Sequence, residues 1–154
     1  MLRQPSGPRM RSTRAASFDL KLLRTTRIFA SASLPIPEVP FRRFVERLGL
    51  SVPSAATIAA ITFDDVVAVR DELTLRLLFH ELVHVVQYRQ LGVHSFARQY
   101  VSGFLSQGSY EDIPLEQCAY VLEERFARGT GAFRVEFEVR KWLARDGFTA
   151  GPLG

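Results

Sequence analysis

The sequence predicts an α+β fold, mostly helical, with a small β-hairpin or sheet ahead of one long apolar helix. Three observations predict it. Beyond residue 74, apolar residues recur at helical spacing in successive stretches. Two short runs rich in β-branched residues, Ile58 to Ile61 and Val66 to Val69, flank Asp64-Asp65 as the arms of a hairpin would. Glycine and proline separate the helical stretches at the places where helices stop and start. With 154 residues and 47% hydrophobic content, the chain suits one domain with a substantial core. No run of 18 uninterrupted apolar residues occurs, so no transmembrane helix is expected.

Taken in order, residues 1–35 carry seven basic side chains against Asp19 alone. The remaining thirteen basic and fifteen acidic residues nearly cancel, so the net charge of +4 belongs to this arm. Such an arm can bind nucleic acid or an anionic membrane surface. No aromatic residues interleave with its arginines, however, and the plainer expectation is a disordered tail whose residues 1–33 are dispensable for folding. Three prolines between Leu34 and Pro40 read as an extended lead-in, and the compact domain is expected over residues 36–148, with a short tail at 149–154. Phe41, Phe44, Val45 and Leu48 suggest a short helix ended by Gly49. The hairpin follows at residues 57–70.

A long helix is expected over residues 74–91, capped by Thr74 and stopped by Gly92. Leu75, Leu78, Phe79, Leu82, Val85 and Val86 fill one arc of it. A second helix should cover His94 to Ser106, offering Phe96, Tyr100, Val101, Phe104 and Leu105 to the core. Pro114 opens a third, with Leu115, Cys118, Ala119, Leu122 and Phe126 inward and Gly129 at its end. Phe133, Val135, Phe137 and Val139 alternate as in a strand. Even so, Glu136, Glu138, Arg140, Lys141 and Ala144 favour a helix ended by Gly147.

The long helix carries His80-Glu81-Leu82-Val83-His84, an H-E-x-x-H pattern. Residues four apart on a helix lie about 40° apart around the axis and about 6 Å along it. Two imidazoles so placed can share one zinc ion, with the glutamate after the first histidine beside the open position. His80 and His84 are therefore expected metal ligands and Glu81 the general base. Catalytic zinc usually takes a third protein ligand. The extended form with a glycine and a third histidine is excluded, because Gln87 and Gln90 occupy those positions. His94, Glu116 and Glu123 remain. A carboxylate on a packed helix offers the better geometry, and Glu116 stands in the first turn of the third helix beside the small Ala119. Glu123, about two turns on, can instead orient a histidine from outside the ligand set.

The stretch His80 to Tyr88, followed by Tyr110-Glu111-Asp112-Ile113-Pro114-Leu115-Glu116-Gln117-Cys118-Ala119-Tyr120, resembles the small bacterial glutamate-zincins. In particular it is similar to a metallopeptidase-like domain sometimes encoded near contractile injection systems, which pairs H-E-x-x-H with P-x-E-x-x-A. The resemblance spans about residues 57–128. It implies a zincin-like fold, His80, His84 and Glu116 as ligands of one catalytic zinc ion, and Glu81 as the base. Tyr110 is then the first candidate donor to the oxyanion, with His94 and Tyr88 behind it. The expected activity is zinc-dependent hydrolysis of a peptide or protein substrate. The alternative is a non-catalytic zinc-binding interaction domain of a secretion or toxin assembly. One cysteine excludes an internal disulfide framework. With no compact signal segment read, cytoplasmic residence is the default expectation, export by a non-classical route staying open.

Overall fold

Local signals place most of the elements in the computed structural model, which describes residues 16–30, 58–70 and 72–145. Helix α1 (Leu20–Thr25) leads into strand β1 (Arg27–Ala30). Strands β2 (Ala60–Phe63) and β3 (Val66–Val69) form the expected antiparallel hairpin. Its two-residue turn places Asp64 at φ 53°, a left-handed conformation that aspartate tolerates better than most residues. Four helices follow: α2 (Leu75–Leu91), α3 (Val93–Gln107), α4 (Pro114–Arg128) and α5 (Val135–Arg145). The fold is a mostly helical α+β arrangement, as its sequence predicts.

The sheet runs β1-β3-β2, with β1 parallel and β2 antiparallel to β3. Thr62 pairs opposite Val67 and Ala60 opposite Val69. Side chains alternate along a strand, so these residues share one face, and Val67 and Val69 are fully buried on it. That face covers α2. The central stretch of α2, residues 79–88, is buried at every position, because the sheet, α3, α4 and α5 all pack against it. Thr74 caps α2 by accepting a hydrogen bond from Leu77 N at 3.1 Å. Gly92, at φ 74°, ends α2 and redirects the chain into α3.

Close approach between α3 and the start of α4 depends on Gly103. A methyl group there would stand 2.9 Å from Pro114 Cδ and 3.3 Å from Ile113 Cγ2. The bare glycine lets the helices meet at that point, three residues beyond Tyr100 on α3 and two before Glu116 on α4.

The structure corrects the sequence reading in several places. The expected boundary at residue 36 is too late, because residues 16–30 belong to the fold. Ser17 N donates to Phe133 O at 2.9 Å, and Val135 N donates to Ser17 O at 3.1 Å. The Phe18 ring meets Phe79 edge-on at 5.4 Å, and Leu22 is buried. Arg27 N donates to Asp65 O at 2.8 Å as β1 joins the sheet. The basic charge of this segment masks its few apolar anchors, and parallel pairing leaves no turn signature in the sequence.

Leu75, Val101 and Leu105, assigned to inward arcs, are exposed; the core side of α3 is narrower than its apolar content suggests. The segment after Phe133 is helical, and its buried residues Val135, Val139 and Leu143 recur every four positions while Phe137 faces solvent. The expected helix at 41–49, the proline lead-in, residues 1–15, the Gly147 stop and the tail at 149–154 lie outside the described residues. Among the described residues, no helix is long and apolar enough to cross a membrane.

Candidate metal centre

His80 and His84 project from the same side of α2, one turn apart, toward α4. Their Nε2 atoms lie 3.1 Å from each other. Glu116, in the first turn of α4, places Oε2 3.2 Å from His80 Nε2 and 3.4 Å from His84 Nε2. All three side chains are buried, Glu116 to 1% exposure. They form a group whose ligand atoms fall within 4.8 Å of one another and which is able to hold a metal ion. The histidine pair and the glutamate expected from sequence thus meet at one point.

Each of the three also has its other polar atom engaged. His80 Nδ1 lies 2.9 Å from Glu123 Oε2, whose second oxygen accepts from Arg76 Nε at 2.8 Å. His84 Nδ1 lies 2.8 Å from Gln87 Oε1. Gln87 Nε2 donates to Leu115 O at 2.9 Å, and because a carbonyl can only accept, this bond fixes which end of the amide faces His84. Glu116 Oε1 accepts from the Tyr100 hydroxyl at 2.6 Å.

These outer partners set the chemistry of the inner atoms. A carboxylate and an amide oxygen are acceptors, so both Nδ1 atoms carry hydrogen and both Nε2 atoms of neutral imidazoles present lone pairs inward. Two lone pairs and a carboxylate oxygen at 3.1 to 3.4 Å repel one another unless a cation sits among them. The cation is a shared proton or a metal ion. The donor set, two nitrogens and one oxygen with oriented rings, fits a divalent metal ion.

Electrostatics agree with that need. Burial alone would lower the His84 pKa, but the Glu116 carboxylate, with Glu81 and the Gln87 contact, outweighs it and raises the value to about 9. Burial would raise the Glu116 pKa, yet His84, His80 and Tyr100 hold it well below the usual carboxylate range. The group therefore keeps a positive charge next to a negative one even without a metal.

Glu81 faces β2. Its Oε2 accepts from the Thr62 hydroxyl at 2.5 Å, so the first strand of the hairpin aims a side chain at the expected base. Glu123 takes the orienting position beside His80 rather than a ligand position. Tyr110, the expected oxyanion donor, lies edge-on to Tyr100 at 6.2 Å, and its phenol faces both Tyr100 and Glu116. Its phenol is held strongly neutral, first by burial and then by Glu116. His94 is exposed in the first turn of α3 and stands apart from the group. Tyr88 is buried and stacks on Phe96 at 3.7 Å, a packing role.

Three neighbours of the site were not read in these roles from sequence. Gln87 stands one turn beyond His84 on the same stripe, which is a usable signal. Tyr100 is a polar aromatic on the inward side of an amphipathic helix, a weaker one. Tyr120 follows Glu116 by one helical turn, lies against the His80 ring at 4.8 Å and is 38% exposed. Burial first, then Glu116 and Glu111, raises its pKa to about 12, so it stays a hydrogen-bond donor. Comparison with protein families, curated proteins and solved structures finds no match for this chain.

Proposed function

We propose that this protein is a zinc-dependent peptidase of the small glutamate-zincin type. The observation that carries the proposal is Glu81, a buried carboxylate that accepts from the Thr62 hydroxyl and directly follows, in sequence, the first histidine of the three-donor group. A structural metal site has no need of that carboxylate.

His80, His84 and Glu116 would hold the ion, which when bound supplies the Lewis acidity that makes a water nucleophilic near neutral pH and polarises a scissile carbonyl. Glu81 takes the proton that the attacking water loses and delivers it to the leaving amine. Thr62 holds the Glu81 carboxylate in place before the transfer. Glu123 and Gln87 keep the histidine rings oriented, with the inner nitrogens turned toward the place of the ion. Tyr120, half open at the edge of the group, is better placed than Tyr110 to donate to the developing oxyanion. Strand β2 lies at an edge of the described sheet and next to α2, where an extended peptide can add to it as a further strand.

The test is Glu81→Gln in zinc-loaded protein offered a broad peptide library. Zinc content should stay near wild type, because Glu81 is not a ligand. Cleavage should fall by the ~10²–10⁴ typical of losing a general base. Equal cleavage by both proteins would place the chemistry elsewhere. One observation favours a second reading, a non-catalytic zinc-binding interaction domain: the donors are nearly shut from solvent, at 1% to 7% exposure. Absence of any cleavage by the zinc-loaded wild type would select that reading.

A further inference from the structure

Glu116 divides its two oxygens between different partners. Oε2 faces the histidine nitrogens, at 3.2 and 3.4 Å, while Oε1 is turned away and bonded to the Tyr100 hydroxyl at 2.6 Å. The carboxylate is 1% exposed, so no solvent is at hand to replace that donor, and the Tyr110 phenol, which faces both Tyr100 and Glu116, belongs to the same cluster. The Tyr100 ring is itself fixed on two sides, stacked 5.6 Å from Phe96 and edge-on to Tyr110 at 6.2 Å. Gly103, one turn further along α3, permits the close helix approach that brings this hydroxyl to α4.

A carboxylate can bind a metal through one oxygen or through both. Without a competing donor, the second oxygen of a buried ligand has the metal as its nearest electropositive neighbour. A phenol is neutral at ordinary pH and offers one O–H, which suits a single carboxylate oxygen. We propose that Tyr100 is a positioning residue that keeps Glu116 a one-oxygen ligand and so leaves a fourth place on the metal open to water or substrate. The proposal rests on the metal-binding reading of His80, His84 and Glu116. It goes beyond that reading by assigning what keeps the site open, which the three donors alone do not determine. A catalytic site needs that open place and a structural site does not.

The experiment compares full-length wild type and Tyr100→Phe, each loaded with cobalt(II) in place of zinc. The phenylalanine keeps the ring between Phe96 and Tyr110 and removes only the hydroxyl. The wild type should show the intense visible absorption of four-coordinate cobalt. The variant should show bands several-fold weaker as the freed oxygen joins the metal as a fifth donor. Identical spectra would overturn the proposal. A measurement on the wild type decides independently of how the variant folds: X-ray absorption at the zinc edge should count one carboxylate oxygen, and two would overturn the assignment. Failure of the wild type to take up either metal is a separate outcome, which overturns the metal-binding reading and this proposal with it.

Discussion

At the scale of single residues, the centre is built from pairs, each inner donor held by one outer partner. Gln87 is the most demanding of these, since it is fully buried and both of its amide ends are used. Replacing Gln87 by leucine keeps the volume but leaves the buried His84 Nδ1 without its acceptor and strips the amide's bond from Leu115 O. Each unsatisfied buried group costs about 1–3 kcal/mol, and loss of an orienting partner weakens metal binding about 10- to 100-fold. Gln87→Leu should therefore lower both the denaturant midpoint and the zinc affinity read by chelator competition. A variant that loses stability yet binds zinc like wild type would reduce Gln87 to a packing residue.

At the scale of elements, α3 and α4 meet where no side chain intervenes. Gly103→Ala puts a methyl group 2.9 Å from a proline ring that cannot swing aside. Such overpacking costs about 1–3 kcal/mol, and the better helix propensity of alanine offsets roughly 1 kcal/mol of it. Net destabilisation in urea is expected, with weaker zinc binding as Tyr100 moves back from Glu116; a stabilised variant would show that the helices can part freely. Removing residues 1–33 deletes α1 and β1 with the buried Leu22, whose burial alone contributes about 1.5–3 kcal/mol. The truncated chain should melt several degrees lower than the full chain at equal zinc occupancy, and an equal melting temperature would show that the segment adds nothing. The two elements also mark what sequence could and could not reveal. Helix α2 with Thr74 and Gly92, the hairpin at Asp64-Asp65, and Pro114 through Gly129 were legible because caps and turns act within a few residues. Glu116 was legible because it lies in the first turn of a helix with one clear apolar stripe. Strand β1 was not, since it pairs with residues nearly forty positions away and no local signal records a parallel partner. Tyr100 was hidden for a similar reason: its importance arises only where α3 crosses α4.

At the scale of the whole molecule, the charged pair inside the core ties stability to pH. The His84 pKa is raised from an ordinary 6.5 to about 9, so the stability it contributes is complete below about 6.5 and is lost as pH rises through about 9. The Glu116 pKa is depressed from an ordinary 4.5, so its contribution is present above that value and is lost as pH falls. Metal-free protein should be most stable between these limits and should melt progressively lower from pH 6.5 to 9. A metal ion held among the donors would replace the proton and remove the upper loss. Melting curves with and without a chelator should diverge as pH rises across that window; parallel curves would mean that His84 carries no such charge. The contacts of Ser17 have a different kind of consequence. Its bonds to Phe133 and Val135 join positions more than a hundred residues apart. A chain is synthesised from its N-terminus, so this clasp has no second half until Val135 has left the ribosome. His80, His84 and Glu116 emerge earlier. The nascent chain therefore has all three candidate donors before Ser17 can be fastened to Phe133 and Val135.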